Sequence, residues 1–320
     1  MKAVGRLIGL AIAVTALAAC RGPAEGLLTT TSTSSTSTTE PEPDAAPEPG
    51  VPIATFNVRR FFDPVCDSDD CGYGAYEEAP TQEQFEARAA QIAAAIDRID
   101  ARIVLLQEVE TWQCLAMLAS ALAPRYPVVA LGEKGGAATV DVAVLAEGTL
   151  LLLQRHRQIP LPLPSGGTTT FAREFLELQL EIDGQLVVVF VAHFKSKSSD
   201  DPERRLAEAQ AAHLIVTTRA AQLPDALVVL GGDLNDTPGS EPLDAIEQGG
   251  WLLRVASDLP PGEDHTYVFN GTGIALDHLY LAVGGAGTYV PGSAQVIRGP
   301  AGGLGGSDHA ALSARFELPQ

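Results

Sequence analysis

The sequence predicts an α/β fold over residues 51–320, with two β-sheets packed face to face and covered by helices in a single domain. Two observations carry this expectation. Apolar runs of strand length alternate with stretches of helical period, and no repeat recurs along the chain. The middle third is also rich in strands, enough to supply a second sheet.

Each element has its own warrant. "IATFNV" from Ile53 reads as a strand. The next stretch, "TQEQFEARAAQIAAAIDRI", opens with a capping box, Thr81 to Gln84, and carries an apolar stripe of Phe85, Ile92, Ile96 and Ile99, so it reads as a helix. "RIVLLQEV" is a buried strand, followed by a helix from about Thr111 to Ala123. "TVDVAVLAE" and "LLLLQRH" come next. In "FLELQLEI" the period of two puts Leu176, Leu178, Leu180 and Ile182 on one face, and Glu177, Gln179 and Glu181 on the other. Asp183-Gly184 is a two-residue hairpin turn into "QLVVVFVAHF". Pro202 to Gln222 is a helix, and "ALVVLGGD", "ALDHLYLA" and "AALSARFEL" are late strands. Residues 284–306 are glycine-rich but hold no GK[ST], so a phosphate-cradling loop of that type is not supported.

The N-terminus lies outside the fold. Residues 1–19 have two cations, Lys2 and Arg6, then a short apolar region and small residues, which is the pattern of a secretory signal. "LAAC" ending at Cys20 looks like a bacterial lipobox, which predicts a lipid on Cys20 and a place in the bacterial cell envelope facing periplasm or exterior. Residues 20–50 are rich in Ser, Thr, Pro and acids and read as a disordered tether with a reach of ~30 Å. In that setting Cys66 and Cys71 are expected to form a disulfide, leaving Cys114 as a buried thiol on a helix. The loop they close also places Asp67, Asp69, Gly72 and Glu78 at positions 1, 3, 6 and 12 of a calcium-loop spacing, although Cys71 stands at the fifth, where a ligand belongs. An acidic, stapled surface loop is the competing reading.

A formal net charge of -19 over 320 residues repels polyanions at long range and excludes a broad basic groove of the scaffold type. It leaves room for an enzyme that meets a phosphodiester through metal ions and a few local cations. Candidates for such chemistry sit at the ends of strands: Asn57, Glu108 and His193 end one, Asp233 with Asn235 follow one, Asp277 sits in "ALDHLYL", and Asp308 with His309 precede the last. Side chains at strand ends converge on a common rim. Phosphodiester hydrolysis needs a divalent cation on a non-bridging oxygen, an activated water and a neutralised leaving oxygen. Glu108 and Asp308 would suffice for Mg²⁺, which takes only one or two carboxylates, and Mn²⁺ or Ca²⁺ are alternatives. His309 is the candidate base, with Asp277 to orient it.

The blocks "ATFNV", "LLQEVE", "FAREFLELQL", "AHFKSKSSD", "GGDLNDTP", "ALDHLYL" and "GGSDHAAL", in this order, resemble the DNase I-like endonuclease/exonuclease/phosphatase superfamily. The resemblance implies a four-layer α/β sandwich of two packed mixed sheets flanked by helices. It implies that Asn57 bonds the phosphate or the attacking group, that Glu108 binds the metal with help from Asp308, and that Arg173 contacts a phosphate. His193 would serve the scissile phosphoryl group or the leaving oxygen, Asp233 and Asn235 the attacking water and transition-state oxygens, and His309 with Asp277 the acid/base step. Two places depart from relatives: Arg59 stands where some carry an acid, and "GIALDH" lacks the cation that often precedes the late Asp.

"HFKSKSSD" resembles the same block of secreted bacterial nucleases, and Lys195, Lys197, Arg204 and Arg205 form a local cationic strip. The expected substrate is therefore nucleic acid, acted on by a monomer with no protein partner and bound to the membrane only through its lipid. A lipid or small-molecule phosphodiesterase is the alternative, against which stands the lack of a recognisable exposed aromatic hairpin. A catalytically inactive surface-binding lipoprotein is the alternative of another class.

Overall fold

The computed structural model describes residues 49–72 and 74–319. The signal segment, Cys20 and nearly all of the tether lie outside them. Among the described residues no helix is long and apolar enough to cross a membrane.

The strands are β1 (Val51–Phe61), β2 (Ile103–Val109), β3 (Val128–Gly132), β4 (Asp141–Ala146), β5 (Thr149–Arg155), β6 (Leu161–Pro162), β7 (Thr168–Thr169), β8 (Leu176–Ile182) and β9 (Gln185–His193). They continue with β10 (Leu227–Asp233), β11 (Leu252–Arg254), β12 (Tyr267–Phe269), β13 (Thr272–Ile274), β14 (Asp277–Ala282), β15 (Thr288–Tyr289), β16 (Gln295–Ile297) and β17 (Ala311–Glu317). The helices are α1 (Gln82–Ile99), α2 (Trp112–Ala121), α3 (Pro202–Gln222) and α4 (Glu241–Ile246).

One sheet runs β15-β17-β1-β2-β4-β3, with β16 also on β17, and the other runs β11-β14-β10-β9-β8-β5. Both are mixed. β1 is parallel to β2 and β9 to β10, while their outer neighbours are antiparallel. Period-two alternation sorts the apolar side chains into three cores. Ile53, Leu105 and Val144 of the first sheet meet Leu178, Val189, Val229 and Leu279 of the second in the central core. Phe56, Val104 and Leu106 face Phe85, Ile92 and Leu115 of α1 and α2. On the far side Val188, Phe190, Val228 and Leu230 face Ala209, Ala212 and Val216 of α3. Helices, sheet, sheet, helices is the four-layer order expected.

The expected helix starts hold. Thr81 accepts from the Gln84 N–H and the Gln84 side chain answers on the Thr81 N–H, a complete capping box. Gly231 lets the sheets close on each other, because a Cβ there would lie 2.6 Å from both Leu105 Cδ1 and Leu279 Cδ2. Three features differ from expectation. Glu177, placed by alternation on a polar face, is fully buried, because α3 covers that face and Arg219 Nε lies 2.7 Å from it. The short strands β3, β15 and β16 lack a periodic run long enough to read, and the last two lie in the glycine-rich stretch. The third is an exposed hairpin, β12–β13, with Val268 41% and Phe269 59% exposed, where no such hairpin was expected.

Candidate active site

The strand ends bring the chemistry together. His193, Asp233 and Asp277 are direct register partners on β9, β10 and β14, so three side chains of the same rank line one edge of the second sheet. Gly232 permits the approach, since a Cβ would lie 2.0 Å from the Ala192 carbonyl oxygen. Asn57 ends the regular pairing of β1 in the first sheet and spans the gap. Its Nδ2 donates to Glu108 Oε1 at 3.2 Å and to Asp233 Oδ2 at 3.0 Å, tying the two sheets at the site. Glu108 reaches that point because it sits at an irregularity of β2 with φ 66°, and a bulge there re-aims the side chain.

His309, just before β17, closes the set. Its Nδ1 lies 2.8 Å from Asp277 Oδ2, which assigns the ring as donor there and leaves Nε2 for substrate or water. Ligand-type atoms of Asp233, Asp277 and His309 all lie within 4.8 Å of one another. Asp277 is steadied by backbone, its N–H donating to Thr266 Oγ1 at 3.1 Å. Ser307 accepts from the His309 N–H at 3.0 Å and donates to the Asn57 carbonyl at 2.7 Å, locking the SDH segment onto β1. Tyr267 packs on the imidazole with ring centres 4.9 Å apart. Neither Ser307 nor Tyr267 had been given a role from sequence; only the serine sat in a recognisable block.

The remaining expected residues sit around this centre. Asn235 (φ 53°) donates its N–H to Asp233 Oδ1 at 2.9 Å and its Nδ2 to the Phe194 carbonyl at 3.2 Å. Arg173 Nη1 donates to the same carbonyl at 2.9 Å. Asp308 stands on the more open edge, with Oδ2 3.4 Å from Arg59 Nε, so the arginine noted as a departure meets an expected metal carboxylate. His278 points its Nε2 at the Asp236 carbonyl, 3.0 Å away, and is structural. Cys66 and Cys71 form the disulfide, and Cys114 is a free, buried thiol on α2. In the loop with the calcium-like spacing, Asp67, Asp69 and Glu78 are exposed. The buried carboxylate is Glu77, outside the pattern, which accepts from the Asp67 and Ser68 N–H groups at 2.7 and 2.8 Å.

The cationic strip is corrected. Lys195 Nζ caps the carbonyls of Ser196, Ser198 and Ser199, Lys197 is 2.8 Å from Asp236, and Arg204 donates to the Thr170 carbonyl. Arg205 is buried between Asp236 and Asp200. Lys195 closes its own loop, Lys197, Arg204 and Arg205 fasten loops at α3, and the four present no free phosphate-binding strip.

The electrostatics follow from burial and like charge. Burial and the Asp277 charge push Asp233 up to about 7, against the pull of His309. Burial works to strip the proton of His309, yet Asp277, Asp233 and Asp308 outweigh it and push it up to about 10. His193 goes the other way, held well below the usual range by burial and by the charges of Arg173 and His309, so it is neutral. The donor set fits a hard divalent cation. Glu108 and Asp233 converge on one amide, and Asp277 keeps a buried oxygen, Oδ1, without a partner among the described residues. A cation there would add positive charge beside His309 and lower its affinity for the proton.

A model of the Endonuclease/Exonuclease/phosphatase family matches residues 54–309. No curated protein matches the chain. Solved structures share the fold at low identity. The human Nocturnin catalytic domain with bound sulfate is 17% identical with a TM-score of 0.61, covering 84% of this chain and 94% of its own. D. rerio TDP2 complexed with a single-strand DNA product is 15% identical with a TM-score of 0.58, covering 84% and 99%. Sphingomyelinase C from Streptomyces griseocarneus is 20% identical with a TM-score of 0.56, covering 84% and 99%.

Proposed function

Because the chain belongs to the endonuclease/exonuclease/phosphatase family, whose members hydrolyse phosphoester bonds, we propose that its pocket cleaves the phosphodiester bonds of nucleic acid with a divalent cation. The observation that carries this reading is the Asp233–Asp277–His309 cluster joined through Asn57 to Glu108. The TDP2 neighbour that holds a DNA product is compatible with nucleic acid as the phosphoester.

Glu108 and Asp308 would hold Mg²⁺, with Mn²⁺ or Ca²⁺ compatible with the same oxygen donors, and the ion would neutralise a non-bridging phosphate oxygen. Asp277 holds the His309 Nδ1 proton, so Nε2 takes the proton of the attacking water in line with the leaving oxygen. Asp233 and the side chain of Asn235 position that water. Asn57 holds Glu108 and Asp233 together through its amide and would orient the phosphate between them. His193, being neutral, stabilises the phosphoryl oxygens by a hydrogen bond and not by charge. Arg173 contacts the phosphate beside it. A lipid on Cys20 would hold this monomeric domain at the bacterial cell envelope.

One observation favours a second reading, a lipid phosphodiesterase. Tyr267, packed on His309, begins the hairpin that exposes Val268 and Phe269, so an apolar tip lies next to the base, and the Streptomyces neighbour is named a sphingomyelinase. The deciding assay runs plasmid DNA and sphingomyelin vesicles side by side with Mg²⁺. DNA nicking that falls by about 10²–10⁴ in His309→Ala supports the nuclease. Choline release with intact DNA supports the lipid reading, and nicking that survives His309→Ala refutes the mechanism.

A further inference from the structure

Between Asn57 and Phe61 the pairing of β1 with β2 is broken, and two successive residues, Arg59 (φ 54°) and Arg60 (φ 42°), take left-handed backbone. For a side chain with a Cβ this costs about 1–2 kcal/mol per residue, and such strain persists where the surroundings hold it, often at ligand clamps. Here the surroundings include the active site. The Arg60 N–H donates to Glu108 Oε2 at 2.8 Å and the Arg59 N–H to Asn57 Oδ1 at 2.9 Å, while both side chains are exposed.

The Arg60 guanidinium lies over the ring of Tyr76, 4.7 Å from its centre. Tyr76 belongs to the segment that follows the Cys66–Cys71 disulfide, and Phe62 braces it edge-on with ring centres 6.0 Å apart. The neighbouring Glu77 pins this segment by its two backbone hydrogen bonds. Yet Tyr76 remains 49% exposed. Through Arg60, whose N–H is bonded to Glu108 and whose guanidinium covers the ring, Tyr76 is linked to the candidate metal carboxylate. A guanidinium laid on an aromatic ring and open on its outer side is a surface for another flat group. Every nucleobase offers a π-face, and guanidinium planes stack on such faces. A quaternary ammonium headgroup would meet the like charge of Arg60.

We propose that Arg60 and Tyr76 form a stacking subsite for the nucleobase that flanks the scissile phosphate, a reading that rests on the nuclease assignment of the adjacent pocket. Aromatic stacking is tolerant of sequence, so the subsite selects a polynucleotide without selecting a base. The test is fluorescence anisotropy in the His309→Ala background with Mg²⁺, using a short labelled oligothymidylate and an abasic strand of equal length. The thymidine strand is expected to bind about tenfold more tightly. Tyr76→Ala should abolish that advantage, and Tyr76→Phe should keep it. Equal binding of the two strands, or an advantage untouched by Tyr76→Ala, overturns the subsite. Sphingomyelin vesicles captured in place of the strands, and lost in Tyr76→Ala, would overturn it in favour of a lipid site. A separate plasmid assay keeps the two ideas apart: stacking without cleavage refutes the nuclease and leaves the subsite standing, whereas cleavage with an unchanged KM in Tyr76→Ala does the reverse.

Discussion

His309 is held in one tautomer by a single contact, its Nδ1 donating to Asp277 Oδ2 at 2.8 Å. Replacing that carboxylate by an amide keeps the volume but removes the charge, and an amide NH₂ turned toward the ring would force Nδ1 to accept and so place the proton on Nε2. Asp277→Asn is therefore expected to lower kcat by about 10²–10⁴ with little change in KM. An NMR titration of the imidazole should also move toward the ordinary histidine range, because the carboxylates that outweigh burial have lost their nearest member. A kcat within twofold of the parent would show that Asp277 is only a packing residue. At this scale the sequence was readable where a polar residue ended an apolar run, as with Asn57, Glu108 and Asp233, or stood just before one, as with His309. It was silent where a role depends on a distant neighbour: Ser307 reaches Asn57 across 250 residues, and Tyr76 gains meaning only from the Arg60 that lies over it.

The loop after β9 is fastened to α3 by Asp236, which accepts from Lys197 Nζ and Arg205 Nε at 2.8 Å each, while its carbonyl takes the His278 ring. Because Arg205 is 3% exposed, removing its buried partner strands a charge away from water. Asp236→Ala is expected to cost about 3 kcal/mol in urea unfolding and to speed amide exchange in the loop from 195 to 201. A cost below about 1 kcal/mol would mean that Asp200 alone holds Arg205. The same clamp explains why a row of Lys and Arg reads as a cationic strip: composition shows charge, whereas only the fold shows that Asp236 of another loop and backbone carbonyls take these cations. Long elements with caps, such as α1, were legible. Strands of two or three residues such as β12 and β13 were not, because too few side chains alternate to define a face.

For the whole molecule, acidity and burial act in the same direction on stability. Glu110 is pushed up to about 8 by burial, with Asp63, Glu77 and Asp67 adding to the shift against an Asp63 N–H bond. Glu208, fully buried on α3, is pushed up to about 7 by burial despite the N–H groups of Lys195 and Ala172. Both folded values exceed the ordinary 4.5, so the folded chain keeps protons that the unfolded chain has released. Their contribution is full below about pH 4.5 and is lost as pH rises through about 7 and then about 8. From pH 6.5 to 8 the two together remove on the order of 2 kcal/mol. Self-repulsion at a net charge of -19 has the same sign. The melting temperature in EDTA is therefore expected to fall by about 5 °C over that interval. Salt near 0.15 M, with a screening length of about 8 Å, should relieve the surface part and leave the buried part. In the Glu110→Gln/Glu208→Gln variant the fall should become shallower, since neither amide titrates, with the raised values of Asp233 and His309 keeping the remainder. A wild-type melting temperature that holds level or rises between pH 6.5 and 8, or a double variant that falls in parallel with it, would place the pH dependence elsewhere in the molecule.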